Sequence, residues 1–143
     1  MTTVKSWLHR YREAWEEAED IEQRITQTRL KYSRPSAISY SDMSKAHNQT
    51  DLSDYAVEME RYENMLIEKY KQCIGIEVEI YQMIDKVSAI NERKVLRGLY
   101  IDGKKWQDIA DDVPCVLRNV YRIHGRALQH LREILIKEGY DIR

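Results

Sequence analysis

The side chains best suited to chemistry lie in a basic stretch near the carboxyl end. From Val116 to Arg132 the chain carries four arginines and no acidic residue, although the whole sequence has a net charge of −1. Residues 1–91 hold 12 Lys or Arg against 16 Asp or Glu, whereas residues 92–143 hold 11 against 8. The positive charge is concentrated in one segment, as expected of a surface that contacts an anionic partner.

The sequence offers little support for other kinds of chemistry. The histidines lack metal-site spacing, and Cys73 and Cys115 are too few for a disulfide framework or a zinc cluster. Gly103-Lys104 lacks the upstream glycine of a phosphate loop, and the carboxylates are dispersed. We therefore expect no catalytic residue, no metal, no cofactor and no enzymatic activity. Because no signal peptide and no apolar run of ~18 residues is present, we expect a cytoplasmic protein without membrane contact.

Apolar residues in steps of three and four predict two long helices before residue 90. One stripe runs from Val4 to Tyr32 and the other from Leu52 to Ile90. Between them, the Ser-rich segment 33–50 is predicted to be a loop, with Thr50 or Asp51 capping the second helix. Residues 1–90 should form a coiled-coil-like hairpin that buries its seam internally or against another copy. We predict that this region mediates homo-oligomerisation.

After residue 90 the elements become shorter. The pattern predicts helices over 91–100, 106–112 and about 116–137, with a turn at Asp102-Gly103, a break at Pro114 and Gly139 ending the last helix. The small residue Ala110 and its apolar neighbours occur at the offsets of a helix-turn-helix. These neighbours are Ile109, Val113, Cys115, Val120 and Ile123. We predict an all-α fold in which residues 91–143 form a helix-turn-helix DNA-binding domain.

The outward face of the last helix holds most of the candidate DNA contacts. If Val120, Ile123, Ala127 and Leu131 turn inward, the arginines and their neighbours face outward. Arginine can bridge the N7 and O6 acceptors of guanine in the major groove, and lysines can hold phosphates. Leu117 either meets a thymine methyl group or packs against protein. The candidate DNA-binding residues are Lys104, Lys105, Leu117, Arg118, Asn119, Tyr121, Arg122 and Arg126.

Two segments, Glu92 to Ala110 and Val120 to Leu128, resemble region 4 of sigma-70-type transcription initiation factors. Over the whole chain, the helical first part and the "DLSDY" block at Asp51–Tyr55 resemble phage-encoded regulators of the ArpU and RinA type. In sigma factors, region 4 binds the −35 promoter element and the flap of RNA polymerase. Where such domains usually carry a helix-capping serine, this chain has Val116.

The resemblance implies a DNA-binding transcriptional regulator in a bacterial host cell. It would act as a phage late-gene activator at promoters, with double-stranded DNA and host RNA polymerase as partners. The alternative is a coiled-coil interaction module that binds polymerase or another phage protein, with only weak DNA contact; this includes a role like that of a small terminase subunit.

Overall fold

A computed structural model describes residues 2–33 and 44–143, with main chain only for 44–51. Within these residues the chain forms five α-helices and no strand, which confirms the predicted all-α class. The helices are α1 (Val4–Ser33), α2 (Ser44–Asp85), α3 (Ile90–Tyr100), α4 (Trp106–Asp112) and α5 (Leu117–Lys137). They pack as two compact units, which we call the hairpin unit (residues 15–72) and the C-terminal unit (residues 1–14 and 73–143).

In the hairpin unit, α1 and α2 run antiparallel. Lys69 Nζ lies 2.5 Å from a carboxylate oxygen of Glu17, and the Tyr32 hydroxyl donates to Glu58 at 3.2 Å. The later residue of α1 therefore contacts the earlier residue of α2. Ile21, Ile25 and Met59 form the buried centre of this unit. Each of these buried residues belongs to a predicted stripe, so the stripes here are buried within a single chain.

The C-terminal unit has a larger core, to which every helix except α4 contributes. The core joins the start of α1, the end of α2, α3 and the second half of α5. Its fully enclosed members include Leu8, Ile84, Leu96, Leu131 and Leu135. The chain end closes this core: Ile142 pairs with Thr2, and the Tyr140 hydroxyl donates to Glu79 at 2.6 Å. That hydrogen bond, followed by burial, raises the pKa of Tyr140 above its ordinary value.

The predicted start of α2 was wrong. The helix begins at Ser44 rather than after Thr50, and the rest of the predicted loop, 34–43, lies outside the described residues. Residues 44–50 contain no Pro or Gly, so the segment carries no helix breaker despite its polarity. Adding main-chain hydrogen bonds to an existing helix is far easier than nucleating a new one.

The predicted end of α2 was also wrong, because the helix stops at Asp85 and α3 starts at Ile90. The apolar stripe continues in phase across this break: Val87 is buried in the core although it lies outside either helix. Arg93 stabilises the break by donating to the carbonyls of Val87 (2.6 Å) and Ser88 (3.0 Å). These two carbonyls lie between the helices and accept no main-chain hydrogen bond among the described residues.

The division into two domains at residue 90 stays a prediction. The packing adds that residues 4–14 of α1 and 73–85 of α2 belong to the C-terminal unit, together with α3, α4 and α5. The helix-turn-helix segment is therefore held by a core to which the ends of both long helices contribute.

Candidate nucleic-acid interface

The α4–turn–α5 segment packs with α3 around a second apolar cluster. Val95 from α3, Ile109 and Ala110 from α4, and Val120 and Ile123 from α5 are all buried in it. Val113 in the turn completes the cluster, and the Cys115 amide donates to the Ala110 carbonyl at 3.1 Å. The predicted inward residues of both helices are thus confirmed, and the turn is fixed by packing and by main-chain bonds.

A close approach of α3 to α4 sets the position of this segment. Gly98 of α3 is buried, and a Cβ atom built on it would lie 3.1 Å from Cγ1 of Ile109. Gly103 adopts φ 66° between the two helices, where the Lys104 amide donates to the Gly98 carbonyl at 2.8 Å. A left-handed residue at this point favours glycine. The predicted turn at Asp102-Gly103 is confirmed, whereas the role of Gly98 was missed.

Arginines line the outward face of α5. Arg118, Arg122 and Arg126 recur every four residues and are all exposed, so their guanidinium groups lie along one side of the helix. Within the described part of the chain, none of these three groups takes part in a hydrogen bond or an ion pair. Arg132, further along α5, instead donates from Nε to the carbonyl of Arg143 at 3.1 Å.

The two predicted lysine contacts have different surroundings. Lys104 is exposed, and its Nζ lies 2.6 Å from a carboxylate oxygen of Asp112. This hydrogen bond, followed by the charge of Asp112, raises the pKa of Lys104 and so favours its cationic form. Lys105 is exposed at the N-cap position of α4, and its carbonyl accepts from the Ile109 amide. Both cations therefore lie at the start of the helix-turn-helix.

The remaining predicted contacts are less open. Asn119 is half-buried, and Leu117 is half-buried against the apolar cluster around Val120. The packing of Leu117 is one of its two predicted roles. Tyr121 is 49% exposed, and its ring centroid lies 4.8 Å from that of Trp106 in an edge-to-face arrangement. Tyr121 is thus oriented by another aromatic side chain rather than left free in solvent.

An aromatic group behind Tyr121 was missed in the sequence. Trp106 also contacts the ring of His124 at 5.0 Å, and the Nε2 atom of His124 lies 2.8 Å from the Tyr100 hydroxyl. Burial, followed by the charge of Lys5, lowers the pKa of His124. Burial also raises the pKa of Tyr100. Both shifts favour the uncharged form of the side chain, although the two residues lie among cations.

Comparison with known families gives one match. Residues 33–132, which are 100 of the 143 residues, match the family described as "Protein of unknown function (DUF1492)". The chain belongs to this family. No curated protein and no solved structure gives a significant match to it.

The DUF1492 match contains α4, the turn after it and α5 as far as Arg132, together with every candidate DNA-binding residue from Lys104 to Arg126. Among the described residues of this DUF1492 protein, no group of three or more His, Cys, Asp or Glu side chains has a geometry that could hold a metal ion. None of the helices described is long and apolar enough to cross a membrane.

Proposed function

We propose that this protein is a cytoplasmic, non-enzymatic DNA-binding regulator of transcription that uses α5 as its recognition helix. In this proposal Arg118, Tyr121 and Arg122 contact bases, while Arg126, Lys104 and Lys105 contact phosphates. The protein would act at promoters with RNA polymerase, as the resemblance to sigma region 4 and to phage late-gene activators implies.

The observation that carries the proposal is the array of three exposed arginines on a helix whose opposite face is buried. Arginine forms strong bidentate contacts with guanine and with phosphate, and it forms them best when its helix is held rigidly. Val120, Ile123 and Ala127 are each at most 5% exposed, so α5 is fixed against its neighbours. An ordinary solvated face would mix positive and negative charges, whereas this stretch contains no carboxylate.

We further propose that the protein binds DNA as a homo-oligomer. The stripes predicted for self-association are largely buried within one chain, so the contact between copies would need a different surface. Ile74, Val78 and Tyr81 follow one another at helical spacing on α2 and are 57%, 48% and 47% exposed. Because exposed apolar side chains at such spacing favour pairing with another helix, Ile74→Glu with Val78→Glu should lower the mass measured by light scattering.

DNA binding is tested by selecting bound fragments from a random duplex pool and then measuring fluorescence anisotropy on the selected site. We expect Arg122→Ala to weaken binding there by about 1 to 3 kcal/mol and to relax specificity at one base pair. Binding by the parent should also weaken steeply with salt, because each neutralised phosphate releases counterions.

Arg132→Ala is the matched control, since it removes the same charge from the same helix but from a side chain that bonds to Arg143. It should reduce the affinity less than Arg122→Ala does. If Arg122→Ala binds the selected site as tightly as the parent, α5 is not the recognition helix. If binding to a polymerase fragment persists while DNA affinity is unmeasurable at low salt, the protein is an interaction module instead.

A further inference from the structure

A cavity of about 310 Å³ opens beside the helix-turn-helix, within the C-terminal unit. Its walls come from the first turns of α1, the end of α3, the turn before α4, and the middle of α5. Its volume is at the lower end of the ~300–1,000 Å³ range of small-molecule sites. None of the residues that line it carries a carboxylate.

One wall of the cavity is cationic. Lys5, Arg12 and Lys104 line it, and within the described chain neither Lys5 nor Arg12 has a hydrogen-bonded or ion-paired partner. The carboxylate that pairs with Lys104 belongs to Asp112, which does not line the cavity. The lowered pKa of His124 agrees with this excess of positive charge, because Lys5 contributes to it after burial. The cavity therefore favours an anion.

The other wall is aromatic. Trp106, Tyr100 and His124 line it and support one another through the ring contact and hydrogen bond described above. His9 adds an edge contact to Tyr100 at 5.4 Å between ring centroids. Such a rigid wall offers flat apolar surface to a planar group, while the two imidazoles and the phenol offer hydrogen-bonding atoms at its rim.

We propose that this cavity binds a phosphorylated nucleotide, with the phosphate at Lys5 and Arg12 and the base against Trp106 and Tyr100. A guanidinium and an ammonium group that line the same cavity suit a phosphate, and an aromatic wall suits a base. The nucleotide is either free in solution or part of a DNA strand, and only the second source rests on the proposed function. Trp106 touches both His124 in the cavity and Tyr121 on the outer face of α5, so occupancy should be felt at that face.

Calorimetric titration of the full chain with nucleoside monophosphates, the matching nucleosides and inorganic phosphate tests the proposal. A monophosphate should bind at least about tenfold more tightly than either fragment, because it uses both walls. Lys5→Gln with Arg12→Gln should weaken it by at least about tenfold, since charged hydrogen bonds are lost. Arg29→Gln, a change to another exposed arginine of α1 in the hairpin unit, should leave the affinity unchanged.

The same variants identify the source of the nucleotide. If the Lys5/Arg12 double variant loses monophosphate binding but keeps duplex affinity, the ligand is a free nucleotide. If monophosphates do not bind and the double variant loses affinity for DNA while Arg29→Gln does not, the phosphate belongs to the strand. If the double variant binds monophosphates and DNA as the parent does, the proposal is overturned. Binding of a free monophosphate does not depend on the effect of Arg122→Ala on DNA affinity. The nucleotide site can therefore be confirmed even if the proposed DNA-binding function fails.

Discussion

Two glycines in helices offer a matched test of how α4 is positioned. A Cβ atom at Gly125 of α5 would meet nothing within 4 Å, so Gly125→Ala should stabilise the protein by up to about 1 kcal/mol through helix propensity alone. At Gly98 the same gain is opposed, because the new Cβ would lie 3.1 Å from Cγ1 and 3.3 Å from Cδ1 of Ile109. Overpacking of this kind costs about 1 to 3 kcal/mol. Gly98→Ala should therefore be about 1 to 3 kcal/mol less stable than Gly125→Ala.

A double-mutant cycle measures the crowding directly by urea denaturation. Ile109→Ala alone should cost about 2 to 5 kcal/mol, because Ile109 is buried. It also removes the atoms that the new Cβ would meet, so Gly98→Ala should be better tolerated in that background by about 1 to 3 kcal/mol. Equal effects of Gly98→Ala in both backgrounds, together with equal stabilisation by the two glycine substitutions, would refute the close approach.

Three further predictions concern the site. Because folding lowers the pKa of His124 below 6.5, the unfolded chain binds more protons, and the free energy of unfolding decreases as the pH falls through 6.5. In urea denaturation between about pH 7.5 and about pH 5.5, His124→Gln should lose less stability than the parent. Parallel losses in the two proteins would contradict this prediction. Val116→Ser should stabilise α5 by about 1 kcal/mol relative to Val116→Ala, since residue 116 is an extended N-cap without a side-chain bond; equal denaturation midpoints would disprove this. Asp112→Asn removes the carboxylate that pairs with Lys104 and should leave Lys104 free to contact a phosphate. The slope of log affinity for DNA against log salt concentration should then steepen by about one unit. An unchanged slope would argue against a phosphate contact by Lys104.

The segment from α4 to α5 was the most predictable part of the fold. The bounds of α4 matched the prediction, α5 began within one residue of it, and Gly139 ends α5 with φ 94° as expected. These signals are local: an amphipathic helix fixes which side is buried, and a break residue fixes where the helix stops. The sequence could therefore indicate both the inward and the outward faces of α5.

The ends of α2 and the cavity could not be read in the same way. Polar residues before Thr50 suggested a loop although nothing there prevents a helix, and the break at Asp85 is hidden because Val87 keeps the phase of the stripe. The cavity joins Lys5 to His124, which are far apart in the chain, and no periodicity links them. The spacing of Lys5, His9 and Arg12 on one face of α1 was the only local hint.

The energetics of α5 explain how one helix can carry an array of unneutralised charge. Neighbouring arginines at Arg118, Arg122 and Arg126 repel, but like-charged pairs four residues apart cost only about 0.2 to 0.5 kcal/mol each. On the opposite face, full burial of a side chain such as Val120 or Leu131 contributes about 1.5 to 3 kcal/mol. Burial therefore outweighs the repulsion, and the helix stays folded with its three arginines along one side. An anion that neutralises them removes the repulsion and adds its own contacts, so its binding should stabilise the first turns of α5, where no side-chain cap does so.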